Sequence, residues 1–230
     1  MSHSIVSMNS RKTMFRMGST FLVLLSAIGL VTGCQKAYYA TMEKFGVYKR
    51  DIMVDRVERV RKTQLETKET FEDALDRFQD VVEVNGGKLE RKYKKLKKVL
   101  ERSEAKAKAL SQQIDDVENV SEALFKEWEK ELDDYNNDSL RAQSSEQLDE
   151  TKRRYRPLMK AMRKAEASVE PVLVPLRDQV LFLKHNLNAR AVASLDVKVS
   201  AVRSDANKLI AELESAINEA NRFIHEMKTP

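Results

Sequence analysis

The sequence predicts an all-α protein, an elongated antiparallel helical bundle with coiled-coil-like packing. Three observations predict it. Beyond residue 33 the only glycines are Gly46, Gly86 and Gly87, and the chain is rich in Glu, Lys, Ala, Leu and Arg, a composition of long helices. Apolar residues recur in three-four steps along four separate stretches, the spacing that lines one face of a helix and sustains heptad packing. The interruptions between these stretches are short and polar, as expected of turns that reverse one rod onto the next.

The first series runs through Val57, Val60, Gln64, Thr67, Phe71, Ala74, Phe78 and Val81 and predicts a helix over about 42–83. Asn85-Gly86-Gly87 permits the positive φ that ends a helix and turns the chain. The second series, from Leu89 through Leu96, Leu110 and Ile114 to Trp128, predicts a helix over 88–134, about 70 Å long at 1.5 Å per residue. Tyr135-Asn136-Asn137-Asp138-Ser139 is the next turn, and Ser144 with Gln147 offers a capping box for the following helix or its restart. The third series runs from Leu148 to Leu176 and predicts a helix over 140–192. Pro157, Pro171 and Pro175 interrupt it. Each removes an amide donor and crowds the preceding turn, so a kink or break is expected near 171–175. The fourth series, Leu195 to Met227, predicts a helix over 196–227, though neither Gly nor Pro marks its start.

Charge patterning suggests which rods lie side by side. Lys88, Arg91, Lys92, Lys94, Lys95, Lys97 and Lys98 crowd the start of the second helix against Glu90 alone, and cations there oppose the helix dipole. Two readings stand. The cluster is a patch for anionic lipid or nucleic acid, or it is neutralised internally. Folding at Gly86 brings it beside Glu72, Asp73, Asp76, Asp80 and Glu83, and a second fold near Asn137 brings Lys152, Arg153, Arg154, Arg156 and Lys160 to an acidic stretch over 115–127. Internal neutralisation is the expectation.

One stretch departs from the single-stripe pattern. Val180, Leu181, Phe182 and Leu183 are consecutive, and a helix apolar on every side is buried centrally or shared between two surfaces. Leu181, Phe182, His185 and Asn188 are therefore the candidate interface or buried polar site. Central burial is expected first, then a homodimer or partner interface, then a ligand site.

The N-terminus carries a different message. Arg11, Lys12 and Arg16 precede an uncharged, mostly apolar run from Met17, which closes on Val31-Thr32-Gly33-Cys34, and Cys34 is the only cysteine. This resembles the signal peptide and lipobox of bacterial lipoproteins, which implies cleavage before Cys34 and acylation of its thiol and new amine. An uncleaved anchor is the alternative, because the uncharged run of 19 residues from Met17 to Gln35 is at the lower edge of a bilayer span. Gln35 stands where the aspartate of inner-membrane retention would be, so the periplasmic face of the outer membrane is expected, the inner membrane less so. Two or more acyl chains make a stable tether. The domains expected are a signal peptide over 1–33, a short tether over 34–41 and one bundle over 42–230.

Removing residues 1–33 from 230 leaves 197. Three of the 41 basic residues and none of the 36 acidic ones go with them, so a net charge of +5 falls to +2 and gives no reason to expect nucleic acid. A phosphate loop is excluded, since Leu89 follows Gly87-Lys88 where a hydroxyl is required and Val82 holds the upstream glycine position. His185 and His225 have no second ligand at metal spacing. No G-x-S-x-G motif occurs. Neither an enzyme nor a metal or cofactor is expected.

The stretches Tyr38-Tyr39-Ala40-Thr41-Met42-Glu43-Lys44-Phe45-Gly46-Val47-Tyr48-Lys49-Arg50-Asp51 and Val180 to Ala189 resemble those of a bacterial family of helical, often lipoprotein, chains, the domain of unknown function 2959. The resemblance covers nearly all of the mature chain. It implies one helical domain in proteobacterial envelopes and carries no activity, substrate or catalytic residue. The function expected is a non-enzymatic, outer-membrane-anchored scaffold or adaptor with a protein partner or a second copy. The alternative is a membrane-shaping or anionic-lipid-contacting module.

Overall fold

The computed structural model describes residues 37–39, 41–44, 46–82, 89–186 and 189–228, with side chains from 200 onward in the last of these segments. Every regular element among them is helical: α1 (Lys49–Val82), α2 (Leu89–Glu131), a single 3-10 turn (Leu132–Asp134), α3 (Asp138–Ala167), α4 (Glu170–His185) and α5 (Ala189–Lys228). The chain divides into two compact units, Met1–Lys49 and Arg50–Pro230.

In the first unit, residues 37–39 and 41–44 are helical and the helix stops at Gly46, whose φ is +76°. Gly46 N–H donates to Glu43 O at 2.9 Å and Val47 N–H to Met42 O at 3.1 Å, the paired bonds of a left-handed helix stop. Lys49 then pairs with Glu43 and lies 5.6 Å from the centre of the Tyr39 ring. The helix predicted over 42–83 therefore begins at Lys49, because Gly46 ends a separate helical segment.

In the second unit the residues that bond between helices fix direction. Asp73 meets Arg102 at 2.5 Å and Glu66 meets Lys106, so numbers fall on α1 as they rise on α2. The same antiparallel sense holds between α1 and α5 (Lys68 to Glu214, 2.6 Å; Glu58 to Lys228, 2.6 Å). It holds between α2 and α3 (Arg163 to Asp115, 2.8 Å), between α2 and α4 (Arg177 to Glu104, 2.5 Å) and between α3 and α5 (Lys164 to Glu212, 2.8 Å). The α3–α4 rod packs on both α2 and α5. Four antiparallel rods thus form a closed bundle with α3 and α4 in line as one of them.

The three-four positions supply the core. Val57, Val60, Phe71, Ala74, Phe78 and Val81 of α1 are buried, as are Leu96, Leu110, Ile114 and Val117 of α2. Leu158, Met162 and Leu176 close the third rod, and Leu209, Leu213, Ala216, Ala220 and Phe223 the fourth.

The third rod breaks at Ser168-Val169, just ahead of the predicted zone. Pro171 occupies the first turn of α4, where its missing N–H is harmless. Ser168 N–H reaches both Lys164 O and Ala165 O at 3.2 Å, so the chain continues in its original direction. Pro157 sits inside α3 without ending it. The last boundary falls at Asn186, earlier than 192–196, where Asn186 N–H caps Leu183 O at 3.2 Å. The capping box at Ser144 and Gln147 does not form. Asn137 caps α3 instead, accepting from the N–H groups of Ser139 and Leu140 at 3.0 and 3.1 Å, and Ser144 lies buried in the second turn of the helix.

Candidate functional site

Many of the described ion pairs join one rod to the next. Arg163 shows how. Its guanidinium donates to Asp115 and Glu166, each at 2.8 Å, and to Glu118. Burial works to lower its pKa, but hydrogen bonds to Glu166, Glu118 and Asp115 outweigh it and hold the group above its ordinary value. Arg177 likewise joins Glu104 of α2 at 2.5 Å to Glu170 in the first turn of its own helix at 2.6 Å. These networks pin angles between rods, although each exposed pair adds little stability.

The basic start of α2 behaves differently. Lys92 reaches α1, donating to Asp80 O at 2.7 Å with the Asp80 carboxylate 3.5 Å away. Lys94 pairs with Glu90 at 2.7 Å and Lys97 with Glu101 at 3.7 Å, both within α2. Arg91, Lys95 and Lys98 are exposed and make no ion pair among the described residues, and Lys88 lies outside them. Among the described residues, the expected neutralisation by α1 is therefore made by Lys92, while Lys94 and Lys97 are neutralised within α2. Three of the acids opposite are already engaged: Asp73 accepts from Arg77 and Arg102, Asp80 accepts from Arg77, and Glu72 lies 3.8 Å from Lys68. The sequence placed the right charges at the right level, but it could not say which way each side chain turns.

A shallow groove of about 590 Å³ runs beside this stripe, lined by Arg77, Lys95, Lys98, Arg102, Asp73 and Glu101 with Val99 and Ala105 among them. A second cleft of about 590 Å³ opens at the other end of the bundle. There Arg50 donates to Met227 O at 2.5 Å and Arg154 pairs with Glu150 and with Glu226 at 3.4 Å. Trp128 donates to Ser144 Oγ at 2.8 Å on its wall. Its cations and acids largely satisfy one another, so that cleft reads as a closing contact between rods. Among the described residues no group of three or more His, Cys, Asp or Glu is placed to hold a metal ion, and no helix is long and apolar enough to cross a membrane.

The run 180–183 is not centrally buried on all sides, as the sequence had suggested. Val180 and Leu183 are buried, while Leu181 is 61% exposed and Phe182 42% exposed. His185 is exposed as well. Successive helical residues are 100° apart, so a run of four must surround the helix, whereas the buried residues of α4, Val172, Leu173, Leu176, Val180 and Leu183, share one side of it. Val174, 44% exposed, precedes Leu181 by seven positions and shares its side of α4. Asn188 and Cys34 lie outside the described residues.

A family model described as a protein of unknown function (DUF2959) matches residues 38–227. The chain belongs to this family. The family match spans the Gly46 helix stop, the helices α1 to α4, α5 up to residue 227 and both sequence blocks that carry the resemblance. A search of the curated proteins found no match.

Proposed function

We propose that this member of the family is a non-enzymatic envelope lipoprotein, held by an acylated Cys34 on the periplasmic face of the outer membrane. There its helical bundle serves as a scaffold or adaptor. The observation that carries the adaptor reading is the outer side of α4, where Val174, Leu181 and Phe182 stand exposed although the opposite side of the same helix is packed with Val172, Leu173, Leu176 and Leu183. Single exposed apolar residues are ordinary, whereas three on one side of one helix suit a partner surface. The anchor rests on Val31-Thr32-Gly33-Cys34 following a basic stub and an apolar run.

A photo-crosslinking residue at position 182 in living cells tests the adaptor reading. A single discrete product is expected, either a dimer of the chain or a complex with one partner, and it should be absent with the crosslinker at exposed Glu129 on α2. No product at 182, or the same smear from both positions, would overturn it.

A further inference from the structure

We infer that the stripe Arg91, Lys95 and Lys98 at the start of α2 is a docking surface for an anionic phospholipid membrane. This goes beyond the scaffold reading, because it stands on the bundle alone and needs no acylation of Cys34.

The three cations are spaced four and three residues apart, hence on one side of the helix, and all are exposed with no ion pair among the described residues. Their arrangement works against the isolated fold in two ways. Like charges at such spacing repel, and Arg91, in the first turn of α2, opposes the helix dipole. Arg77 and Arg102 line the neighbouring groove but are matched by Asp73 and Asp80, so the stripe itself carries the surplus positive charge. A partner of opposite sign relieves both conflicts.

The chemistry of the groove favours a lipid surface over an acidic polypeptide. Its apolar lining is Val99 and Ala105, so it lacks the deep aromatic or aliphatic pocket in which a protein partner would seat an anchor. Two of the three free cations are lysines, compact charges on flexible stems that follow mobile headgroups without a fixed geometry. Exposed Leu181 and Phe182 lie in the same half of the bundle, since Arg177 bonded to Glu104 in antiparallel register sets Leu181 level with about residue 100 of α2. Exposed basic and apolar side chains at one level of a bundle are both found in interfacial membrane contacts. Further along α2, Asp115, Asp116 and Glu122 are exposed acids, which disfavours laying the whole helix on such a surface and leaves its basic start to make the contact.

The test uses the mature chain from residue 34 with Cys34→Ser, which keeps every described residue and removes acylation. Co-sedimentation is measured with phosphatidylcholine vesicles and with vesicles of equimolar phosphatidylcholine and phosphatidylglycerol. Binding to the anionic vesicles alone is expected, released as salt rises. Arg91→Gln/Lys95→Gln/Lys98→Gln should weaken it roughly a hundredfold, three cations each contributing near the surface, while its melting temperature holds or rises. Lys94→Gln/Lys97→Gln, whose cations are already paired, should weaken it far less. Equal binding to both vesicles, no binding, or a triple variant that binds like wild type overturns the proposal. So does a triple variant that melts lower, since the cations would then be structural. Binding to soluble polyglutamate and not to vesicles also overturns it, in favour of an acidic polypeptide.

Discussion

The indole Nε1–H of Trp128 donates to Ser144 Oγ at 2.8 Å, joining residues 16 apart in sequence across the turn between α2 and α3. Ser144 is buried, so each group has exchanged water for the other. The two helices are held at this turn by a side-chain bond as well as by the Asn137 cap.

Removing one partner should therefore be felt in stability. Ser144→Ala is expected to lower stability by about 1–2 kcal/mol, because it leaves the indole donor unpaired. A double-mutant cycle with Trp128→Phe, read by thermal melting, should show coupling between the two. Additive losses would mean that the bond contributes nothing beyond packing.

Gln64 is fully buried on α1, and neither its amide oxygen nor its amide nitrogen has a hydrogen-bond partner among the described residues. The bonds Glu66 to Lys106 and Ser111 to Glu166 place it level with Ser168-Val169, where the third rod breaks. Gln64→Met keeps the length and removes the unpaired polar atoms, so it should raise stability by about 1–3 kcal/mol. A lower melting temperature would show that the amide is satisfied by ordered water.

Gly46 holds φ at +76°, and a Cβ built there meets nothing within 4 Å. Gly46→Ala would thus be penalised only by its backbone conformation, by about 1–2 kcal/mol. Faster hydrogen exchange at the Val47 amide, which bonds to Met42 O, is the expected readout, and unchanged exchange would contradict the strain.

These features mark how far the sequence was legible. The four rods and most of their core faces followed from the three-four series, because spacing sets which side of a helix faces its neighbours, and even Gln64 and Thr67 obeyed it. The cap at Asn137 was missed because Ser144 with Gln147 matched a local pattern equally well, and only the Trp128 contact, between residues distant in sequence, decides between them. The basic start of α2 was placed level with acids of α1, yet angular position around each helix decides pairing. Asp73 and Asp80 turn to Arg77, Arg102 and Lys92. The exposure of Phe182 was likewise invisible, since a run apolar on all sides looks the same whether neighbours cover it or not.

Stability should fall in acid. Hydrogen bonds from Lys228 and Lys106 hold the carboxyls of Glu58 and Glu66 below their ordinary value of 4.5. A group lowered on folding stabilises the fold above its unfolded value and loses that contribution as pH falls through its folded value. The melting temperature should be level from neutrality to about pH 5 and decline below that. Lys106→Gln should flatten the decline, and an unchanged slope would show that these pairs are not its source.

The anchor is the central claim, and intact mass measures it most directly. Protein taken from the envelope of the native host is expected to lack residues 1–33 and to carry the added mass of acyl chains on Cys34. It should fractionate with the outer membrane, and Cys34→Ser should accumulate as the uncut precursor. A membrane-bound chain that keeps Met1, or a cleaved chain with a free Cys34 thiol, would contradict the account.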